Sequence, residues 1–157
     1  MSQEHQFEGS LRWQAGPAEG PEPDPEMIFA GRPPLTFAPA PAFGGDPALL
    51  NPEELFLAAL SSCQFLSTLA LARRAGLEIL SYEDSARATL GMADRRMRMT
   101  LAVLAPVLRV AAGTDLDRAR EIVEKAHRRC FIANSVSCTV RIEPTIEVIP
   151  GPAATDG

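Results

Sequence analysis

Histidine is scarce in this chain. His5 and His127 are the only two in 157 residues, which leaves a Ser-His-Asp hydrolase little to be built from. A phosphate-cradling glycine loop is also missing, because Gly44-Gly45 leads into Asp46-Pro47 and does not open a helix after a strand. No basic stretch followed by an apolar core opens the chain (MSQEHQFEGS), so no signal peptide is expected and the expected compartment is the cytoplasm. The longest apolar run, Leu55 to Ala72, is interrupted by Ser61, Ser62, Gln64, Ser67 and Thr68, which argues against a membrane span. Positive charge is not in excess: a net charge of −5 gives no reason to expect nucleic acid or an acidic membrane surface as partner. Three cysteines in a reducing compartment make no disulfide framework, and any bridge among them is expected to be transient and redox-active.

The remaining composition, 46% hydrophobic and 22% charged, is that of a soluble globular chain. One domain over residues 1–150 with a disordered tail over 151–157 is the expected organisation. Its centre is Asn51 to Gly76. Asn51 is a capping residue, Pro52 suits the first helical position, and Glu53 and Glu54 favour the positive end of a helix. Arg73, Arg74 and Gly76 form the matching stop signal. Between them lies roughly 36 Å of helix that is apolar nearly all round, with Gln64 and the small hydroxyls left to face water.

Before this helix, Glu4 to Gln14 alternates Phe7, Gly9, Leu11 and Trp13 with polar residues, which predicts a strand with one buried face. Residues 16–25 read as an exposed loop, Met27–Ala30 and Leu35–Ala38 as two short strands, and 39–47 as a loop. After the helix, Leu77–Met92 and Met97–Leu108 read as strands joined by a hairpin at 93–96, with Met97, Met99, Leu101 and Val103 on one face. Thr114 and Asp117 resemble a capping box for a second helix reaching about Arg129, with Leu116, Ala119, Ile122, Val123 and Ala126 as its stripe. Residues 130–136 read as one irregular helical turn, and 137–149 as a final strand. The order predicts an α+β domain. A long apolar helix with no second long helix to pack on points to a homodimer in which two copies of it meet.

The candidates for chemistry are cysteines. Taken by itself, Cys63 in a Leu/Ala helix reads more readily as an inert buried residue than as a reactive thiol. Cys130, beside Arg128 and Arg129, is the better placed to be a thiolate, since neighbouring cations lower a thiol pKa. Cys138 alternates with Val140 and Ile142 and reads as core. A zinc site from Cys63, His127, Cys130 and Cys138 fits no usual ligand spacing, and no metal or cofactor is expected.

Asn51-Pro52-Glu53-Glu54-Leu55, followed by Ser61-Ser62-Cys63, resembles the signature of the OsmC/Ohr family (osmotically inducible protein C and organic hydroperoxide resistance proteins). A second cysteine opening Cys130-Phe131-Ile132-Ala133-Asn134-Ser135, after a helix ending Ala126-His127, is similar too. The resemblance runs from the first strand to about Ile149. It implies an OsmC-like fold of two intertwined subunits around paired central helices. It also implies a thiol peroxidase that reduces organic hydroperoxides, or peroxide generally, with Cys63 as peroxidatic thiol, Cys130 as resolving thiol and Glu53 as the active-site glutamate. The reductant it implies is a dithiol, lipoyl-type or another thiol. Ten residues, about 15 Å of helix, separate Glu53 from Cys63, so one straight helix cannot join them. Active sites at the dimer interface, each using the partner's Glu53, are the expected resolution.

The resemblance departs at arginine. The family stabilises its thiolate with one in the first-strand turn or shortly before the Asn-Pro-Glu-Glu start. Here those places hold Gly16-Pro17-Ala18 and Pro41-Ala42-Phe43-Gly44, and Arg12 and Arg32 are the nearest substitutes. Ten residues into its helix, Cys63 gains little from the dipole, so a cation is expected to activate it; without one, a slower enzyme follows. The competing reading is a non-catalytic dimer of the same fold that binds a small apolar or electrophilic ligand, with Cys63 a bystander.

Overall fold

A computed structural model describes residues 4–150. Contacts divide the chain into two compact units, one up to Leu55 and the other from Phe56 on. The tail expected to be disordered lies outside the described residues.

In the first unit, β1 (Ser10–Arg12), β2 (Glu26–Ile28) and β3 (Leu35–Thr36) pair antiparallel in that order. The long first strand expected over residues 4–14 is thus reduced to three residues. Its expected inner face is not buried either: Phe7 is 94% and Leu11 62% exposed. With a single three-residue partner strand, β2, at the edge of this sheet, β1 has too little sheet to cover its apolar side chains. The loop behind it is held by Trp13 Nε1–H, which donates to the Pro23 carbonyl at 2.9 Å, and by the Arg12–Glu26 ion pair at 2.7 Å. The proline-rich loop 39–47 contains one 3₁₀ turn, Pro41–Phe43, closed by Gly44 at φ +84°.

The helix α1 spans Pro52–Arg74. Its start is a reciprocal cap: Asn51 Oδ1 accepts from the Glu54 N–H at 2.9 Å, and Glu54 Oε2 accepts from the Asn51 N–H at 3.1 Å. At its end Gly76 takes φ +66°, and Leu77 N–H returns to the Ala72 carbonyl at 2.9 Å. Length and apolarity alone would allow α1 to cross a membrane. Within the chain it buries a single stripe, Leu60, Gln64, Thr68 and Ala72, and not most of its circumference. The residue expected to face water, Gln64, is wholly inside: its Nε2 donates to Thr68 Oγ1 at 3.1 Å and to the Val123 carbonyl at 3.2 Å. Leu66 on another face is 61% exposed.

Beyond α1 come β4 (Ile79–Asp84), β5 (Arg87–Ala93), β6 (Arg96–Leu104), β7 (Pro106–Ala111), α2 (Leu116–Arg129), β8 (Thr139–Ile142) and β9 (Thr145–Ile149). Each of the three long strands expected here is two strands, which form separate three-stranded sheets, β4-β7-β9 and β5-β6-β8. The bends coincide. Asp84 Oδ1 accepts the Ala105 N–H at 2.8 Å where β6 passes into β7, and Glu143 N–H reaches the Leu104 carbonyl at 2.8 Å ahead of Pro144. Asp84 also accepts the Ser61 hydroxyl at 2.5 Å, which ties the bend to α1. The hairpin expected at 93–96 is present, with Asp94 and Arg95 both at positive φ as a two-residue turn between twisted strands requires.

Of the face expected on β6, Val103 is buried while Met97 is 56% exposed; from the other face Ala102 and Leu104 pack with Leu60 as the core under α1. In α2 the cap is Asp115, whose carboxylate accepts from the N–H groups of Asp117 and Arg118, and Thr114 has no such part. Ala119, Ile122, Val123 and Ala126 are buried as expected, whereas Leu116 is exposed.

Candidate active site

Two elements carry the thiols. Cys63 rides on α1, half-buried, one position before the inward-facing Gln64. Cys130 is the residue that ends α2, its N–H on the His127 carbonyl at 3.2 Å, and it is fully buried. The chain then makes the expected irregular turn, with a 3₁₀ segment at Ala133–Ser135. Asn134 shapes it: its N–H returns to the Cys130 carbonyl at 3.0 Å, and its Nδ2 donates to the carbonyls of Arg128 at 3.1 Å and Cys130 at 2.9 Å. That winding aims successive backbone N–H groups inward. Ala133 N–H points at Cys130 Sγ at 3.4 Å, and the N–H groups of Phe131 and Ile132 are turned to Cys63.

The two thiols themselves are within hydrogen-bonding reach, with Cys130 donating to Cys63. Burial raises the Cys63 thiol. The Ile132 N–H, the Cys130 thiol, the Phe131 N–H and the Ser67 hydroxyl outweigh that, and hold it below its ordinary value. Cys130 goes the other way. Burial pushes it up, the Ala133 N–H offsets only part, and the hydrogen bond to Cys63 and the charge there add to the rise, which reaches about 11. One expectation is therefore corrected. Cys63, not Cys130, is the more acidic thiol, because donors gather at Cys63 while burial and the neighbouring Cys63 push Cys130 up. The donors that lower the Cys63 pKa are uncharged.

Cys63 opens on a cavity of about 850 Å³. Its lining is mostly apolar, including Leu66, Leu71, Phe131 and Ile132, and among the described residues its charged members are Arg74 and Arg129. Such a space admits an apolar molecule to the more acidic sulfur while Cys130 waits behind it. Tyr82 packs against Phe65 with tilted rings and centroids 5.0 Å apart; among the described residues its buried hydroxyl has no hydrogen-bond partner, and burial, with the charges of Asp84 and Cys130, raises its pKa.

Of the residues picked from the sequence, the structure brings Cys63 and Cys130 together. Glu53 lies half-buried in the first turn of α1, in the unit that ends at Leu55. Arg12 pairs with Glu26, and Arg32 is exposed in the turn between β2 and β3. Cys138 is half-buried beside a separate recess, not core as expected, and His127 directs Nε2 to the Val140 carbonyl at 3.2 Å. Among the described residues, no three metal-binding side chains cluster. Ser67 and Asn134 were not singled out from the sequence. Ser67 had a signal, since it stands one helical turn beyond Cys63; Asn134 entered only as part of the Cys130–Ser135 stretch, with no role assigned.

A family model described as OsmC-like protein matches residues 44–145. Among solved structures, the chain is similar to an OsmC-like protein of unknown function from Vibrio cholerae, at 28% identity over 89% of this chain and 99% of that one, with a TM-score of 0.81. It is similar as well to an organic hydroperoxide resistance protein OsmC from Legionella pneumophila (18% identity, 92% and 100% covered, TM-score 0.68). The organic hydroperoxide resistance protein OhrB of Bacillus subtilis is a third (19% identity, 90% and 98% covered, TM-score 0.62). At those last two identities, what is shared is the fold. No curated protein matches. With α+β elements in the OsmC order and a family match over most of the domain, the chain belongs to the OsmC family.

Proposed function

We propose that this protein is a cytoplasmic, homodimeric thiol peroxidase that reduces organic hydroperoxides. The observation that carries the reading is the asymmetry of the thiol pair: a more acidic Cys63 facing an apolar cavity, and a buried Cys130 donating to it from behind. The names of the Legionella and Bacillus relatives support the substrate class.

The Cys63 thiolate attacks the distal oxygen of the hydroperoxide; the O–O bond breaks, and the alkoxide leaves and takes a proton as alcohol. Cys63 is now a sulfenic acid. Cys130 attacks its sulfur, the S–O bond breaks, and the Cys130 proton departs with the hydroxyl as water. An external dithiol reopens the disulfide by exchange, first at the accessible Cys63 sulfur. Glu53 of a partner subunit is proposed to complete the site. The α1 face left uncovered in one chain supports a second copy.

Stopped-flow oxidation of the reduced protein by cumene hydroperoxide and by hydrogen peroxide, followed by mass spectrometry, tests this. Fast loss of both thiols into a Cys63–Cys130 bridge is expected, faster with cumene hydroperoxide, and abolished in Cys63→Ser and Cys130→Ser. Rates no better than a free thiol would instead leave the apolar cavity as a binding site without turnover.

A further inference from the structure

We propose that Ser67 is a catalytic residue of this chain, its hydroxyl donating to the Cys63 sulfur and stabilising the thiolate. The rate consequence rests on the peroxidase reading; the ionisation of Cys63 does not.

The case begins with the helix. Residues four apart on α1 sit nearly above one another, so position 67 is one of the few from which α1 can reach back to residue 63. Both side chains line the same cavity, and the Ser67 hydroxyl is within hydrogen-bonding reach of the sulfur. Serine within a helix commonly satisfies its hydroxyl on a carbonyl of the preceding turn. Ser62 does so, donating to the Ala59 carbonyl at 3.2 Å. Ser61 instead donates to Asp84. Three serines on one helix thus meet three surroundings: Ser62 a carbonyl, Ser61 a carboxylate, and Ser67 the cavity it shares with the Cys63 sulfur.

The chemistry favours the donor. A thiolate accepts several hydrogen bonds where a thiol accepts weakly, so each donor stabilises the charged form. The other donors have further duties or no side chain. Cys130 is consumed in the resolving step, and the Phe131 and Ile132 N–H groups are backbone. Among the groups that lower the Cys63 pKa, Ser67 is the side chain that persists unchanged through the cycle.

Ser67→Ala suits the helix at least as well as serine, so the fold is expected to survive the change. The measurement is the pH profile of Cys63 alkylation by iodoacetamide, read on the Cys63 peptide by mass spectrometry, beside the rate of oxidation by cumene hydroperoxide. In Ser67→Ala the alkylation midpoint should rise by about half to one pH unit. Oxidation at neutral pH should slow roughly three- to tenfold with the thiolate fraction. Ser67→Thr, which keeps the hydroxyl, should restore both. An unmoved midpoint in Ser67→Ala would overturn the proposal. Slow oxidation of the unaltered protein would strike the peroxidase reading instead, and the alkylation midpoint would still decide the part played by Ser67.

Discussion

Cys63 and Cys130 lie within hydrogen-bonding reach of each other, and the two sulfurs differ in acidity because of what surrounds each. Cys63 collects donors from α1 and from the turn after α2. Cys130 lies beneath, fully buried, with Ala133 N–H as its nearest donor. Under the proposed reading, the peroxidatic thiol needs charge and access while the resolving thiol needs only proximity, and the two positions differ in that way.

Selective alkylation should reveal the difference. With limiting iodoacetamide near neutral pH, the Cys63 peptide should carry label well before the Cys130 peptide, since the thiolate is the nucleophile. Equal labelling of the two, in protein that remains folded, would contradict the arrangement.

Stability should fall in alkali for the same reason. The Cys130 pKa is raised from 9.0 to about 11 on folding, so the unfolded chain gives up this proton first. The contribution is fully present below pH 9.0 and is lost as pH climbs through about 11. Urea midpoints at about pH 8 and about pH 10 should therefore drop further for the unaltered protein than for Cys130→Ala, which has no such proton to lose. Parallel drops would show that Cys130 does not ionise more readily in the unfolded chain.

What could be read from the sequence followed local rules. The ends of α1 were legible because Asn51, Pro52, Arg74 and Gly76 signal through their own backbone preferences. The thiol pair was legible through its family pattern. The three coincident bends were not, because alternation continues through Ser85 and Ala105, and only Asp84 reaching the Ala105 N–H reveals that the chain changes sheets. Gln64 was misplaced for a related reason. An amide reads as polar surface until its partners, Thr68 and the Val123 carbonyl, come from elsewhere in the fold. The turn donors on Cys63 had no sequence signal, since a backbone N–H belongs to every residue but proline.

The core under α1 should depend on Leu60. It is wholly buried against Ala102 and Leu104, with Phe56, Leu57 and Val140 around it. Leu60→Ala leaves a void that helix and sheet, joined also by Ser61 and Asp84, cannot easily close. A loss of about 2–5 kcal/mol is expected in chemical denaturation, with the m-value unchanged. A loss under about 1 kcal/mol would mean that the sheet relaxes onto the helix freely.

The uncovered side of α1 makes the last test one of assembly. Leu66 is 61% exposed in the single chain, on a helix whose polar buried residues face inward. Leaving such a face in water is unfavourable, and a second copy of α1 would remove it. Leu66→Arg places a charge where the two helices would meet, and burying it unpaired costs several kcal/mol, enough to undo a moderate interface. Sedimentation of the unaltered protein should give twice the mass of one chain, and Leu66→Arg should shift it toward the monomer. A monomeric unaltered protein would remove the partner's Glu53 from the proposed site. A dimer that survives Leu66→Arg would move the interface to another face, such as the exposed Phe7 and Leu11 side of the first sheet.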